Sequence, residues 1–171
     1  MADDLLSAPK GSDYNAASIE MQDDMEHERL RPGMYIGGKD DRALHHMVAE
    51  IIDNSMDEAV AGHASWIEVE VHDNGHVTVR DNGRGIPTDP HPKVPEKSAL
   101  EIIFCTLNAG GKFSGDNYET SGGLHGVGSS VVNALSDHLH VEVARNRELF
   151  AMTFSKGIAT TKLEKVGAAP N

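Results

Sequence analysis

Apolar and polar positions fall into stretches of distinct period along the chain. Between Asp41 and about Gly62, Leu44, Val48, Ile51, Ile52, Ser55 and Ala59 recur at helical spacing on one face. His46, Glu50, Asn54 and Glu58, spaced by four, take the opposite face, so the pattern predicts a long amphipathic helix ended by Gly62. Trp66 to Val71 and His76 to Arg80 alternate like strands, and Asp73-Asn74-Gly75 between them is a hairpin signal. Asp81 to Lys97 is rich in Gly and Pro and reads as loop. Ser98, with Glu101 three places on, opens a short helix to about Leu107. Asn108 to Gly123 holds five glycines and almost no apolar residues, which predicts a mobile loop. Leu124 to Leu135 reads as a helix entered through glycines, and His138 to Ala144 and Glu148 to Phe154 as strands. The last residues, from Gly167, read as turn. At the other end, residues 1–13 are small and polar and predict disorder. Residues 14–31 read as an arm, polar with scattered apolar positions, and Arg31-Pro32-Gly33 separates it from the long helix.

The composition adds limits. At 171 residues, the chain has room for one domain with a real core and little more. Apolar residues make up 39% and charged residues 25%, a globular balance. No apolar run is long enough to cross a bilayer, and Met1-Ala2-Asp3-Asp4 lacks the order of a signal peptide, so a soluble cytoplasmic protein is expected. The one cysteine, Cys105, excludes an intramolecular disulfide and sits in an apolar run, where a small buried residue is expected rather than a nucleophile. The formal net charge of −12 opposes a phosphate backbone, so duplex DNA would have to be held by regions outside this chain. The ten histidines include no pair with metal-site spacing of the HExxH kind.

Three segments could carry chemistry. The His46, Glu50, Asn54 and Glu58 stripe is either the wet side of a helix or a site for activating water. It offers a carboxylate base, a histidine one turn away and an amide oxygen suited to a hard cation. Asp81-Asn82-Gly83-Arg84-Gly85-Ile86-Pro87 follows a strand. It reads as an ordinary turn or as an acceptor for an exocyclic amine, with glycines that let backbone approach a flat ring. Ser121-Gly122-Gly123-Leu124-His125-Gly126-Val127-Gly128 leads into a helix and could bind an anion through bare N–H groups. It is neither a phosphate-binding loop of the Gly-Lys-Ser/Thr type nor a dinucleotide fingerprint.

In combination, Glu-x-x-x-Asn, Asp-x-Gly-x-Gly and a glycine-rich segment ending in Gly-Leu-His-Gly-Val-Gly resemble the GHKL ATPases. Arg31-Pro32-Gly33-Met34-Tyr35-Ile36-Gly37, Glu50 to Ala59, Asp81 to Pro87, Ala109 to Phe113 and Ser121 to Leu135 look like the B subunits of bacterial type II topoisomerases. Asp41 to His46, Ile52 to Ser55 and Lys97 to Glu101 look more like topoisomerase IV than gyrase, which remains the alternative. A nucleotide-binding module without hydrolysis is a second alternative. A histidine kinase would need a phosphoacceptor helix, which the arm does not offer.

The resemblance implies an α+β fold, the GHKL (Bergerat) sandwich, with a twisted, mostly antiparallel sheet covered on one face by helices. It implies ATP and Mg²⁺ as cofactors. Glu50 would be the general base and His46 its orienting partner, Asn54 the metal ligand and Asp81 the adenine acceptor. Gly83, Gly85, Ile51, Ile86 and Ile103 would surround the base. Tyr118 would touch the adenine, and Lys112 with Gly123, Leu124, His125, Gly126, Val127 and Gly128 would clamp the phosphates. Glu58, Arg84, Pro87 and Arg145 would rim the pocket, where aminocoumarin inhibitors bind. Tyr14 and Ile19 would lie on an arm that crosses to a second B subunit. The implied partners are that subunit and a topoisomerase A-type (ParC-like) subunit, in an enzyme that binds DNA and passes one duplex through another. The ATP-binding domain would span 32–171, ending ahead of the family's last strands and transducer domain, so the chain alone would hydrolyse ATP poorly. Asp24, His27, Glu28 and Leu30 depart from the family pattern, leaving the packing before Pro32 open. Asn108 and Ser129 also depart, from a usual His and a usual Val or Ala, and neither is expected to touch the catalytic set.

Overall fold

The computed structural model describes residues 16–18, 23–109 and 128–169. After a 3-10 turn at Ala16–Ser18, three helices follow: α1 Asp24–Leu30, α2 Gly33–Ile36 and α3 Asp41–Val60. The hairpin β1 Ile67–Val71 and β2 Val77–Asp81 comes next, then β3 Pro90–His91, β4 Val94–Ser98 and α4 Ala99–Cys105. The second half holds α5 Gly128–Leu135, β5 Leu139–Arg145, β6 Glu148–Ser155, β7 Ile158–Ala159 and β8 Glu164–Ala168. The fold is α+β as expected, and every described strand pair is antiparallel. The strands form three sheets among the described residues: β1–β2, β3–β4, and a four-stranded sheet in which β6 pairs with β5, β7 and β8.

Local chemistry sets the helix starts. Asp23, Asp40 and Ser98 each accept a bond from an otherwise unpaired N–H of the first turn: Met25 at 2.9 Å, Ala43 at 3.2 Å and Glu101 at 3.1 Å. Two stretches differ from their sequence reading. Asp81 to Lys97 is not wholly loop, because Pro90–His91 and Val94–Ser98 pair across a two-residue turn. Gly167 and Ala168 are not turn; they lie in β8, whose backbone is held by β6. All three strands are short and poor in β-formers, so their pairing comes from the partner strand and not from propensity.

The larger core joins Leu100 and Phe104 of α4 to Val143 of β5 and Met152 and Phe154 of β6, with Ile86 and Ile103 against it. The Phe104 and Phe154 rings lie 5.3 Å apart, inside the range of attractive aromatic pairs. A smaller cluster of Ile36, Ala43 and Val131 joins α2, α3 and α5. Cys105 lies beside the larger core, and burial pushes its thiol pKa up, as an unreactive side chain requires.

Of the apolar face read on α3, Ser55 is buried and Val48, Ile51, Ile52 and Ala59 are half-buried, while Leu44 is 59% exposed; Ala43 and Asp57 are buried as well. The segment before Pro32, left open by its departures from the family pattern, is a helix docked on α5. Glu28 of α1 is wholly buried there; its Oε1 accepts from Ser130 Oγ at 3.3 Å, and its Oε2 has no hydrogen-bond partner among the described residues. Burial, aided by the nearby Asp24, raises the Glu28 pKa to about 7 against the pull of the Ser130 bond.

Candidate functional site

The polar stripe of α3 faces α5 and the end of β2. Glu50 is half-buried against the first residue of α5, where a Cβ on Gly128 would collide with Glu50 Oε2. A side chain there would push the Glu50 carboxylate aside. One turn along, Asn54 Nδ2 donates to Ser129 Oγ at 3.3 Å. The expectation that Ser129 stays clear of the catalytic set is therefore wrong. It rested on position in the sequence, and α5 swings Ser129 onto α3. His46 is exposed on α3, one turn ahead of Glu50.

Asp81 ends β2 beside the same helix. Its Oδ2 accepts from Ser55 Oγ at 2.7 Å and its Oδ1 from Gly83 N at 2.9 Å. A side chain at Gly83 would meet Asp81 Oδ1 and Glu58 Cβ, both 2.9 Å away, so that turn is closed to anything larger. Gly85 combines φ +71° with a Cβ position 2.9 Å from Val143 Cγ1, which excludes other residues twice over. The Asp-x-Gly-x-Gly spacing is thus a requirement of packing against α3 and β5. Asn82 fastens the segment from outside, accepting from Ser65 N at 2.8 Å and Trp66 N at 3.1 Å.

At the rim, Glu58 holds Arg84 through both the guanidinium and the backbone. Arg84 Nη2 donates to Oε1 at 2.8 Å, and Nε and N donate to Oε2 at 3.1 and 2.9 Å. Arg145 Nη1 donates to the Gly85 carbonyl at 3.0 Å, placing β5 against the loop. Pro87 is exposed beyond it, and Ile51 is half-buried on α3. Ile86 and Ile103 pack on the larger core. Tyr14, Ile19, Lys112, Tyr118, Gly123, Leu124, His125, Gly126 and Val127 lie outside the described residues. Ser55, whose spacing places it with the apolar face, and Asn82 are site residues that the sequence does not announce. Their roles depend on α3 lying across the end of β2, which no local pattern marks.

Among the described residues, no three His, Cys, Asp or Glu side chains converge as a metal cage. An amide oxygen from Asn54, completed by phosphate oxygens and water, is a donor set that fits Mg²⁺, which keeps few protein ligands.

The profile of the histidine kinase-, DNA gyrase B- and HSP90-like ATPases matches residues 39–164. The chain belongs to this family. Within the ATPase family it is 56% identical over 170 residues to the B subunit of DNA topoisomerase 4 from Bartonella bacilliformis, covering 97% of this chain and 25% of that protein. It is 57% identical over 160 residues to the Caulobacter vibrioides protein of the same name, covering 94% and 23%. It is 53% identical over 154 residues to the B subunit of DNA gyrase from Thermotoga maritima, covering 90% and 24%. The chain thus spans about a quarter of the length of these curated relatives. The 43K ATPase domain of Thermus thermophilus gyrase B, solved with an aminocoumarin, shares the fold at TM-score 0.72 and 44% identity, over 86% of this chain and 36% of that one. No described helix is long and apolar enough to cross a membrane.

Proposed function

We propose that this is the ATP-binding and ATP-hydrolysing domain of a topoisomerase IV B subunit, a cytoplasmic protein acting with a second B subunit and an A-type subunit. The carrying observation is that Glu50 and Asn54 on α3 meet the first turn of α5, with Asp81 beside them at the end of β2. That arrangement separates three tasks. Asp81, held by Ser55 and Gly83, accepts from the adenine amine. The glycine-entered end of α5 faces the phosphates with its N–H groups and positive dipole. Glu50, one helical turn from Asn54, takes the proton of the attacking water, and His46 orients it.

Asn54 would hold Mg²⁺, which screens phosphate charge when bound. Residues 1–31 read as a terminal segment and partner-binding arm, and 32–171 as the ATPase domain. An aminocoumarin would occupy the face rimmed by Glu58, Arg84, Pro87 and Arg145, as suggested by the ligand of the Thermus relative. The 53% identity to a gyrase protein keeps gyrase as the second reading. Decatenation rather than negative supercoiling, once the full-length subunits are reconstituted, would support topoisomerase IV.

The test of hydrolysis is Glu50→Ala in the full-length protein. Nucleotide binding should persist while turnover falls by roughly 10²- to 10⁴-fold, since only proton transfer in the transition state is removed. Near wild-type turnover would reduce the stripe to a half-wet helix face.

A further inference from the structure

With seven residues, α1 is too short to hold its helical shape without support from packing. Its one buried residue is Glu28, and that side chain is wholly enclosed. Its other supports are lighter. Met25 is half-buried against Gly157, in the turn between β6 and β7, and His27 Nδ1 lies 3.0 Å from the Tyr35 hydroxyl of α2. The helix is therefore anchored by a group whose charge can change.

A carboxylate taken out of water is costly unless charge or hydrogen bonds replace what the water supplied. Here Oε1 shares a 3.3 Å bond with Ser130 Oγ, and Oε2 has no hydrogen-bond partner among the described residues. Nor does a described cation offset the charge. Asp24 of α1 repels it, Tyr35 of α2 stays neutral with its own pKa raised, and α5 carries no ionisable side chain. The docked arrangement thus suits the neutral carboxyl and opposes the ionised one. Once α1 lifts away, the charge would lie in water, as those of the exposed Asp24 and Glu26 already do.

We propose that α1 is a proton-gated latch on α5: it stays docked while Glu28 is neutral and opens increasingly often as that carboxyl gives its proton to solvent. Ser130 shares the first turn of α5 with Gly128 and Ser129, so the latch adjoins the turn that meets Glu50 and Asn54.

Hydrogen exchange of the nucleotide-free chain at pH 5 and pH 8, corrected for the pH dependence of chemical exchange, tests this. The reporters are the amides of His27 and Arg31, which donate to the Asp23 carbonyl at 2.9 Å and the His27 carbonyl at 3.0 Å. With a carboxyl that titrates near 7 when docked and near 4.5 when free, the opening constant of α1 should rise roughly 50- to 100-fold over that interval. At both pH values α1 should be less protected than the central strand β6, as an element that opens alone must be. Glu28→Gln, a neutral side chain of the same shape, should abolish the rise, whereas Glu26→Gln on the exposed side of the same helix should keep it. Protection of α1 that is unchanged between pH 5 and pH 8 would overturn the proposal. A rise that persists in Glu28→Gln would do the same, and so would equal protection of α1 and β6, which would mean that the whole domain opens together.

Discussion

The two ends of α5 are held by different physics. Its first turn is polar, and each residue there meets a different side chain: Gly128 faces Glu50, Ser129 faces Asn54 and Ser130 faces Glu28. Its later residues, Val131 to Ala134, are all buried, mostly apolar, and set against α2, α3, α4 and β6. The one polar member there, Asn133, donates from Nδ2 to the Phe104 carbonyl at 2.8 Å and so joins α5 to the end of α4. A single short helix is thus anchored by burial at one end and presents adjustable polar contacts at the other. A site that must handle charge needs the second kind, and it tolerates them because the first kind fixes the helix.

That division is open to test. Truncating the anchored end should cost most: Asn133→Ala removes the donor to a buried carbonyl and leaves a cavity, a loss of about 2–4 kcal/mol. Urea denaturation gives the number, and a loss below about 1 kcal/mol would mean that the anchor lies elsewhere.

At the polar end, Glu28 should make stability fall as pH rises. Its carboxyl titrates near 7 when folded, against 4.5 for the free group, so between those values the folded state binds more protons than the unfolded. Stability is then greatest below about pH 4.5 as far as this group is concerned, and declines through pH 7 by about 2–3 kcal/mol. Glu28→Gln should flatten that decline, and matched slopes for the two proteins in denaturation at pH 5, 6 and 8 would refute the linkage.

Next in size is Gly128→Ala. The added methyl would displace the Glu50 carboxylate and slow hydrolysis in the full-length protein roughly 10- to 100-fold, with little change in melting temperature. An unaffected rate would show that Glu50 moves aside at no cost. The smallest effect belongs to the rim. Glu58→Gln weakens a half-exposed pair with Arg84 and should change stability by less than about 1 kcal/mol.

How much of this is legible in the sequence follows the same division. The span of α3 can be read to within two residues of its C-terminal end because a helical period and Gly62 mark it. The β5 and β6 strands are visible because alternation marks a sheet with one packed face. Most of the packed side of α3 is visible too: of the apolar period, only Leu44 is exposed. What is not visible is that contact with α5 and β2 is also made through polar side chains. Ser55 has the spacing of a packing residue and is in fact a donor to Asp81. Glu50, Asn54 and Asp81 stand out as a motif, but the serines that hold two of them do not. A hydroxyl carries no period, and its partner lies far off in sequence.

Those three successive contacts also bear on how the chain can change over evolutionary time. Positions 28 and 130, and positions 54 and 129, are each joined by a hydrogen bond while lying 102 and 75 residues apart. A substitution in the first turn of α5 is therefore judged by two other helices at once. Among relatives, these positions should drift in matched pairs, and a residue transplanted into one of them without its counterpart should do worse than the two transplanted together.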